Sequence, residues 1–266
     1  METPSGPRAT MREIHQDGVN ARIAELEAAG VELWPARETM TIDGWLLRFT
    51  DGQTHRGNSV ATHRFEDGSG NEAIAAVERE YRLRNLSPMF QISPVTKPAD
   101  LEHLLHERGY RTVTPTLTCA ASSLIMRASL PEPREVTAAG EPGDDFAALL
   151  LGGSRSEADG RERLDILSRI ELPHACITAY DKGVPVACGT GTLVAGWVGI
   201  NLMRTDPARR RSGHAQRVLS AIARWAEGKG VSRLYLNVEE GNNAARTLYA
   251  KAGFNTIYAY RYSVRD

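Results

Sequence analysis

Residues 105–112 of the chain, LHERGYRT, have a counterpart near its end in residues 249–256, YAKAGFNT. In both places a helical pattern ends at a glycine, and an aromatic residue then begins a strand. A helix and then a strand precede each segment at similar intervals. The matching order predicts two copies of one α/β unit in tandem, each with a central, mostly antiparallel mixed sheet flanked by helices. Because such endings are common, a chance similarity is the alternative.

Local composition suggests the boundaries of these units. Residues 1–18 begin polar and rich in Pro and Gly, which predicts a disordered tail. Residues 19–128 form the first unit, beginning with a helix that Gly30 is expected to end. Residues 129–145 contain three prolines and are predicted to be a linker with the first strand of the second unit. Residues 146–266 form that second unit.

Charge and cysteine content exclude several classes of protein. The 266 residues carry a formal net charge of -1, which does not favour nucleic acid or an anionic membrane as a partner. Cys119, Cys176 and Cys188 are far apart and odd in number, which indicates neither a disulfide framework nor a zinc site. His103 and His106 lack a third ligand, so no metal is expected. These features predict a cytoplasmic protein without a membrane span.

The segment most suggestive of chemistry is 202–215, LMRTDPARRRSGHA. A strand ends, Pro207 turns the chain, three arginines follow, and Gly213 precedes an amphipathic helix. The start of a helix has backbone N–H groups without partners and a partial positive charge, and both favour a bound phosphate. No acidic residue lies in the first turn, where helices usually favour one. The alternative is a basic loop before an ordinary helix.

Residues 210–215, RRSGHA, resemble the Q/R-x-x-G-x-G/A pyrophosphate motif of the GNAT N-acetyltransferase family, with Ala215 where glycine is commonest. Further along, six residues match that family's V-x(3)-N-x(2)-A-x(3)-Y-x(3)-G-F ending: Val238, Asn242, Ala245, Tyr249, Gly253 and Phe254. The resemblance covers roughly residues 134–266. The first half resembles the same fold in outline, as in bacterial two-domain members. Acids surround its equivalent helix start, so it is expected to be a degenerate copy without a cofactor site.

The resemblance implies roles for particular residues. Acetyl-CoA would be the co-substrate, and its pyrophosphate would bind the backbone around Arg210, Arg211, Ser212, Gly213, His214 and Ala215. Its pantetheine would pair with the backbone of Leu202, Met203 and Arg204 and form a hydrogen bond with Asn242. Tyr249 would be the general acid that protonates the departing thiolate, since a tyrosine of ordinary pKa is protonated at neutral pH. A core aromatic residue is the alternative for Tyr249.

The general base is left open by the sequence. Glu239, which follows the strand beside the cofactor, is the first candidate. Glu240, Asp206, His174 and a chain of water molecules are the others. In the first half, Arg48, Arg56 and Asn58 are expected either to line a substrate cleft or to be structural.

The function that these features predict is transfer of an acetyl group from acetyl-CoA to a primary amine of a small molecule, by direct attack in a ternary complex. The alternatives are acetylation of a protein or peptide, and a non-catalytic acyl-CoA-binding module. The expected partner is the amine substrate, and association into a homodimer is left open.

Overall fold

The computed structural model describes residues 11–66 and 68–265. Within them, eleven strands form one sheet with the order β1-β2-β3-β4-β11-β5-β10-β9-β8-β7-β6. The strands are β1 (Glu38–Ile42), β2 (Trp45–Phe49), β3 (Val60–Ala61), β4 (Met89–Ile92), β5 (Arg111–Ser122), β6 (Val136–Ala139), β7 (His174–Asp181), β8 (Val184–Val194), β9 (Trp197–Thr205), β10 (Arg233–Glu239) and β11 (Asn255–Val264).

Eight α-helices occur in the same described residues. They are α1 (Met11–Glu32), α2 (Gly70–Leu83), α3 (Leu101–Glu107), α4 (Ser123–Ser129), α5 (Asp144–Gly152), α6 (Glu157–Ser168), α7 (His214–Gly228) and α8 (Asn243–Lys251). Amphipathic α7 buries Val218, Leu219 and Ile222 in the main core of the second half. Helix α2 buries Ile74 and Val77 in the separate core of the first half.

The order of the strands is nearly symmetrical about the centre of the sheet. Strand β3 is parallel to β4 and β9 is parallel to β10, whereas the other neighbouring pairs among the described strands are antiparallel. The mixed α/β fold expected from the repeat is confirmed by this arrangement.

The last strands of the two halves are exchanged. Strand β5, the final strand of the first half, pairs with β10 of the second half. Strand β11, the final strand of the second half, pairs with β4 of the first. The two exchanged strands also pair with each other, with Ala259 opposite Leu117. The two units proposed from the sequence therefore share one continuous sheet.

Helix α1 corrects the expectation for the N-terminal tail. It begins at Met11, so residues 11–18 are helical rather than disordered, while residues 1–10 lie outside the described part. It also continues past Gly30 to Glu32, because Leu33 and Trp34 directly beyond are drawn into the core. The packing of these large side chains outweighs the helix-ending tendency of a glycine.

Helix α4 was not expected from the sequence. Ser122 caps it by accepting a hydrogen bond from the backbone of Ile125. Leu124 and Ile125 are exposed while Met126 is buried, so the helix lacks the apolar periodicity from which helices are predicted.

Candidate active site

The parallel strands β9 and β10 separate partway along their length. Their register runs from Leu234 opposite Val198 to Leu236 opposite Ile200. Beyond these pairs lies a cavity of about 460 Å³, lined by residues 200–204 of β9 and 237–239 of β10. An opening between two sheet strands leaves backbone groups free to pair with an extended ligand.

A bulge distorts β9 where it borders this cavity. The register against β8 shifts between Cys188 and Thr190. Leu202 has a φ of 55°, in the left-handed region that costs a leucine conformational energy. Leu202, Met203 and Arg204, which were predicted to contact the pantetheine, all line the cavity. Strained backbone in a bulge beside a cavity is typical of functional sites.

The loop before α7 has the geometry of an anion-binding site. Arg211 has a φ of 63° and Gly213 a φ of 79°, and such left-handed residues in a turn direct backbone N–H groups into a concavity. No side chain caps the helix, and its first turn contains no acidic residue. The exposed side chains of Arg210 and Arg211 form no ion pair within the described residues. A phosphate would therefore meet free donors and positive charge here.

His214 contributes to this loop in a different way. Its ring is buried, and Nδ1 lies 2.7 Å from a guanidinium nitrogen of Arg217. Arg217 also donates to the backbone oxygens of Arg134 and Tyr180. The His214 side chain thus helps to fix the start of α7. Only the backbone N–H of this residue is suited to bind an anion.

Tyr249 and Asn242 both line the cavity from α8. The Tyr249 hydroxyl has no hydrogen-bond partner among the described residues. Burial raises the pKa of Tyr249 to about 12, although the Arg204 cation acts in the opposite direction. Asn242 caps α8 by accepting a hydrogen bond from the backbone of Ala245, which leaves its Nδ2 group available to a ligand.

The candidate bases differ in their access to the cavity. Glu239 lines it, and its carboxylate is paired with Arg155 at 3.0 Å. Glu240, Asp206 and His174 are not among the lining residues. Asp206 instead accepts a hydrogen bond from the backbone of Ala208, and the Nδ1 atom of His174 lies 2.9 Å from the Leu172 oxygen.

His55 is a lining residue that the sequence did not single out as a base. Its ring contacts that of Tyr262, with centroids 5.2 Å apart. Burial lowers the pKa of His55, Arg155 adds to this effect, and Glu239 opposes it. At neutral pH the imidazole is therefore uncharged and can accept a proton.

The loop that contains His55 is attached to the second half by a buried carboxylate. Glu162 of α6 accepts hydrogen bonds from the backbone of Gln53 at 2.9 Å and of Thr54 at 2.8 Å. It also accepts one from the Thr54 hydroxyl at 2.5 Å. Arg56, in the same loop, reaches the cavity. The two halves of the chain consequently form one site.

The other two cleft candidates of the first half are structural. Arg48 is buried and donates to the Ser59 oxygen and to Gln91. Asn58 accepts from the backbone of Thr50 and Gly52. Of the three, only Arg56 lines the cavity.

Within the described residues, no group of three or more His, Cys, Asp or Glu side chains is placed to hold a metal ion. No helix among those residues is long and apolar enough to cross a bilayer.

Solved structures place this fold in a known class. A GCN5-related N-acetyltransferase from Kribbella flavida superimposes with a TM-score of 0.65 at 17% identity, covering 92% of this chain and 95% of that one. A tandem GNAT protein from the clavulanic acid biosynthesis pathway gives a TM-score of 0.59 at 11% identity, covering 94% and 95%. At such identities these likenesses concern the fold alone.

Two curated relatives extend the likeness to sequence. The chain is 28% identical to the uncharacterized N-acetyltransferase YobR of Bacillus subtilis, over 91% of this chain and 98% of the relative. It is 26% identical to the "Probable histone acetyltransferase Rv0428c" of Mycobacterium tuberculosis, over 91% of this chain and 74% of the relative.

The protein is an acetyltransferase of the GNAT type. More narrowly, it belongs to the family described as "Probable histone acetyltransferase Rv0428c C-terminal", whose model matches residues 20–263. Because that match includes both halves, the exchanged strands lie within the family's common region.

Proposed function

We propose that this acetyltransferase moves the acetyl group of acetyl-CoA to a primary amine of a small molecule, by direct attack in a ternary complex. The observation that carries this proposal is the composition of the cavity wall. Residues 53–56 of the first half line the same cavity as β9 and β10. A volume of about 460 Å³ that must also receive the acetyl end of the co-substrate suits a small acceptor.

The proposed position of acetyl-CoA rests on two features of the second half. Its pyrophosphate fits the uncapped start of α7, beside Arg210 and Arg211. Its extended pantetheine fits the opening between β9 and β10. The corresponding start of α2 is different, because Ser69 caps it and Glu72 lies in its first turn. These contrasts support one co-substrate site per chain.

The residues around the cavity support a simple division of roles. His55 accepts the proton that the attacking amine must lose. Backbone N–H groups of 202–204 polarise the acetyl carbonyl and stabilise the negative charge on its oxygen as the tetrahedral intermediate forms. Tyr249 donates its proton to the sulfur of CoA as that intermediate collapses.

The cysteines support direct attack rather than a covalent acyl-enzyme. Burial raises the pKa of both Cys176 and Cys188 to about 12, so neither forms the thiolate that a nucleophile requires. Cys119 is also buried, and its pKa is likewise raised by burial.

A lysine side chain in a protein is the second candidate acceptor. The name of the Mycobacterium tuberculosis relative favours it. A protein substrate would need to present its lysine within a cavity that the 53–56 loop borders, which makes the small molecule the better fit.

The proposal can be tested by measuring release of free CoA thiol with acetyl-CoA and a panel of amines, with histone peptides included. We expect turnover of one or more small amines. When both substrate concentrations are varied, the lines in double-reciprocal plots of the initial rate should intersect. Parallel lines would indicate a covalent intermediate, and turnover confined to the peptides would favour the protein substrate.

A further inference from the structure

Four arginines line the proposed active-site cavity, and they differ in their partners. Arg155 is paired with Glu239 at 3.0 Å and Arg163 with Asp159 at 2.9 Å. Arg56 and Arg204 form no ion pair with any described residue. A guanidinium in a largely desolvated place is costly when no negative charge accompanies it. Neither guanidinium therefore has a carboxylate of the protein in direct contact, although Glu27 interacts electrostatically with Arg56 and Asp159 with Arg204.

Arg56 is held in position by neutral groups. One of its terminal nitrogens donates to Oδ1 of Asn201 at 3.2 Å. Its guanidinium lies over the Trp34 ring, 5.2 Å from the centroid. Glu162 holds the loop on which it is carried through hydrogen bonds to the backbone of Gln53 and Thr54. The side chain is thus pre-organised, while its charge remains available.

Arg204 has a built position on the other side of the site. Gly153 leaves it space, since a Cβ at that glycine would lie 2.8 Å from Cδ of Arg204. One terminal nitrogen donates to the Met203 oxygen, but the buried Nε has no partner. Nδ2 of Asn201 is also buried and unpaired. Both unpaired buried groups of this wall are donors, so neither supplies an acceptor to the Arg204 cation.

Acetyl-CoA does not supply an anionic group in contact with these two guanidinium groups in the proposed arrangement. Its phosphates would lie at the start of α7, and the thioester end that enters the cavity is neutral. The anionic group must then come from the acceptor. We propose, resting on the proposed acetyl transfer to small amines, that the acceptor is an amine that also carries a carboxylate, and that Arg56 and Arg204 bind this carboxylate from the two halves.

The same charges have a consequence for the reacting amine. Nearby cations favour the neutral form of a bound ammonium group and so assist its loss of a proton. Basic peptides, by contrast, would bring further positive charge into an already cationic cavity. Both effects select a zwitterionic, amino-acid-like amine over a lysine in a basic sequence.

The first test compares matched amines in the thiol-release assay: amino acids against their carboxamides and against the corresponding amines without the carboxyl group. We expect the carboxylates to have a kcat/KM at least roughly tenfold higher, as a charge-assisted hydrogen bond allows. Arg56→Gln should raise KM for the carboxylates roughly 10- to 100-fold and change KM for neutral amines and for acetyl-CoA little. Arg79→Gln, in an exposed arginine of α2, is the matched control.

A second test does not depend on turnover. Titration calorimetry in the presence of CoA compares N-acetyl amino acids with N-acetyl amino acid amides as product-like probes. We expect tighter binding of the acids, and loss of that preference in Arg56→Gln but not in Arg56→Lys or Arg79→Gln. Equal binding of acids and amides, no binding of either, or a preference that survives Arg56→Gln would overturn the inference. A protein that acetylates no amine yet prefers the acids would refute only the proposed reaction.

Discussion

At the scale of single residues, burial shifts the pKa values of the two proposed proton-transfer groups, Tyr249 and His55, in opposite directions. Burial disfavours whichever form of a group is charged. It raises the pKa of Tyr249 to about 12 and lowers the pKa of His55. The phenol is therefore kept protonated and the imidazole unprotonated at the same pH, as an acid and a base working in one reaction require.

Replacing Tyr249 with Phe should lower kcat by roughly 10²- to 10⁴-fold, because the substitution keeps the ring and removes the donor. Affinity for acetyl-CoA and the melting temperature should hardly change, since the hydroxyl has no partner among the described residues. Steady-state kinetics, calorimetric titration and thermal melting check this. A loss of stability at unchanged kcat would mean that Tyr249 is only a core residue.

The pH dependence should identify His55 as the base. A base acts only when unprotonated, so kcat/KM should fall as the pH drops through a pKa below the ordinary value of about 6.5. Arg155 and Glu239 act on its charge, and the ring of Tyr262 packs against it. In His55→Gln that acidic limb should disappear and the rate should fall. The control His103→Gln, at an exposed position of α3, should behave as the wild type. An unaltered limb in His55→Gln would contradict the assignment.

Tyr249 could be selected from the sequence because it follows Asn242 by two turns of one helix. His55 could not. Its proposed role depends on a loop of the first half that Glu162 attaches to α6, and neither residue has a local pattern that reveals this contact. Glu239, the base candidate chosen by position along the chain, does line the cavity, but its ion pair with Arg155 was not foreseeable from spacing.

At the scale of elements, the features of the α7 start that suit a phosphate lie within a few adjacent residues. The turn, the arginines, the left-handed Gly213 and the first helical turn are contiguous in sequence. The location of this loop could accordingly be predicted without the rest of the fold. The cavity needed the tertiary structure, because it arises between β9 and β10 and is closed by residues from elsewhere.

Gly213→Glu should abolish binding of acetyl-CoA, because a carboxylate would stand beside the proposed phosphate position. Gly230→Glu is a matched control at the other end of the same helix. Gly230 has a φ of 73° against 79° for Gly213, so both substitutions strain the backbone similarly. Titration calorimetry should find that the control binds as the wild type does. Similar loss in both variants would attribute the effect to strain alone.

At the scale of the whole molecule, the exchanged strands decide how the halves depend on each other. Both β5 and β11 follow the same helix-glycine-aromatic pattern, so local sequence is compatible with either partner. The repeat could be predicted, whereas the choice between exchanged and unexchanged pairing is made by side-chain packing across the whole sheet. One contribution is the buried carboxylate of Glu27 in α1, which accepts a hydrogen bond from Tyr258 of β11 at 2.7 Å.

Fragments 1–130 and 131–266 expressed separately should be poorly folded, because each lacks the strand that completes its part of the sheet. Expressed together, they should assemble and bind acetyl-CoA. A protease site placed at residues 131–133 of the intact protein is the control, since cleavage after folding leaves all strands present. Circular dichroism and titration calorimetry follow both. A stable, CoA-binding 131–266 fragment would show that the exchange is dispensable.

The exchange also bears on synthesis of the chain on the ribosome. Strand β4 is synthesised long before its neighbour β11, which is translated almost last. Strand β5 is likewise synthesised long before its two partners, β10 and β11. Until then the first half presents unpaired strand edges, which other nascent chains can join. A chaperone that shields these edges would raise the yield of folded protein, and ribosomal stalling before residue 255 would release chains prone to aggregate.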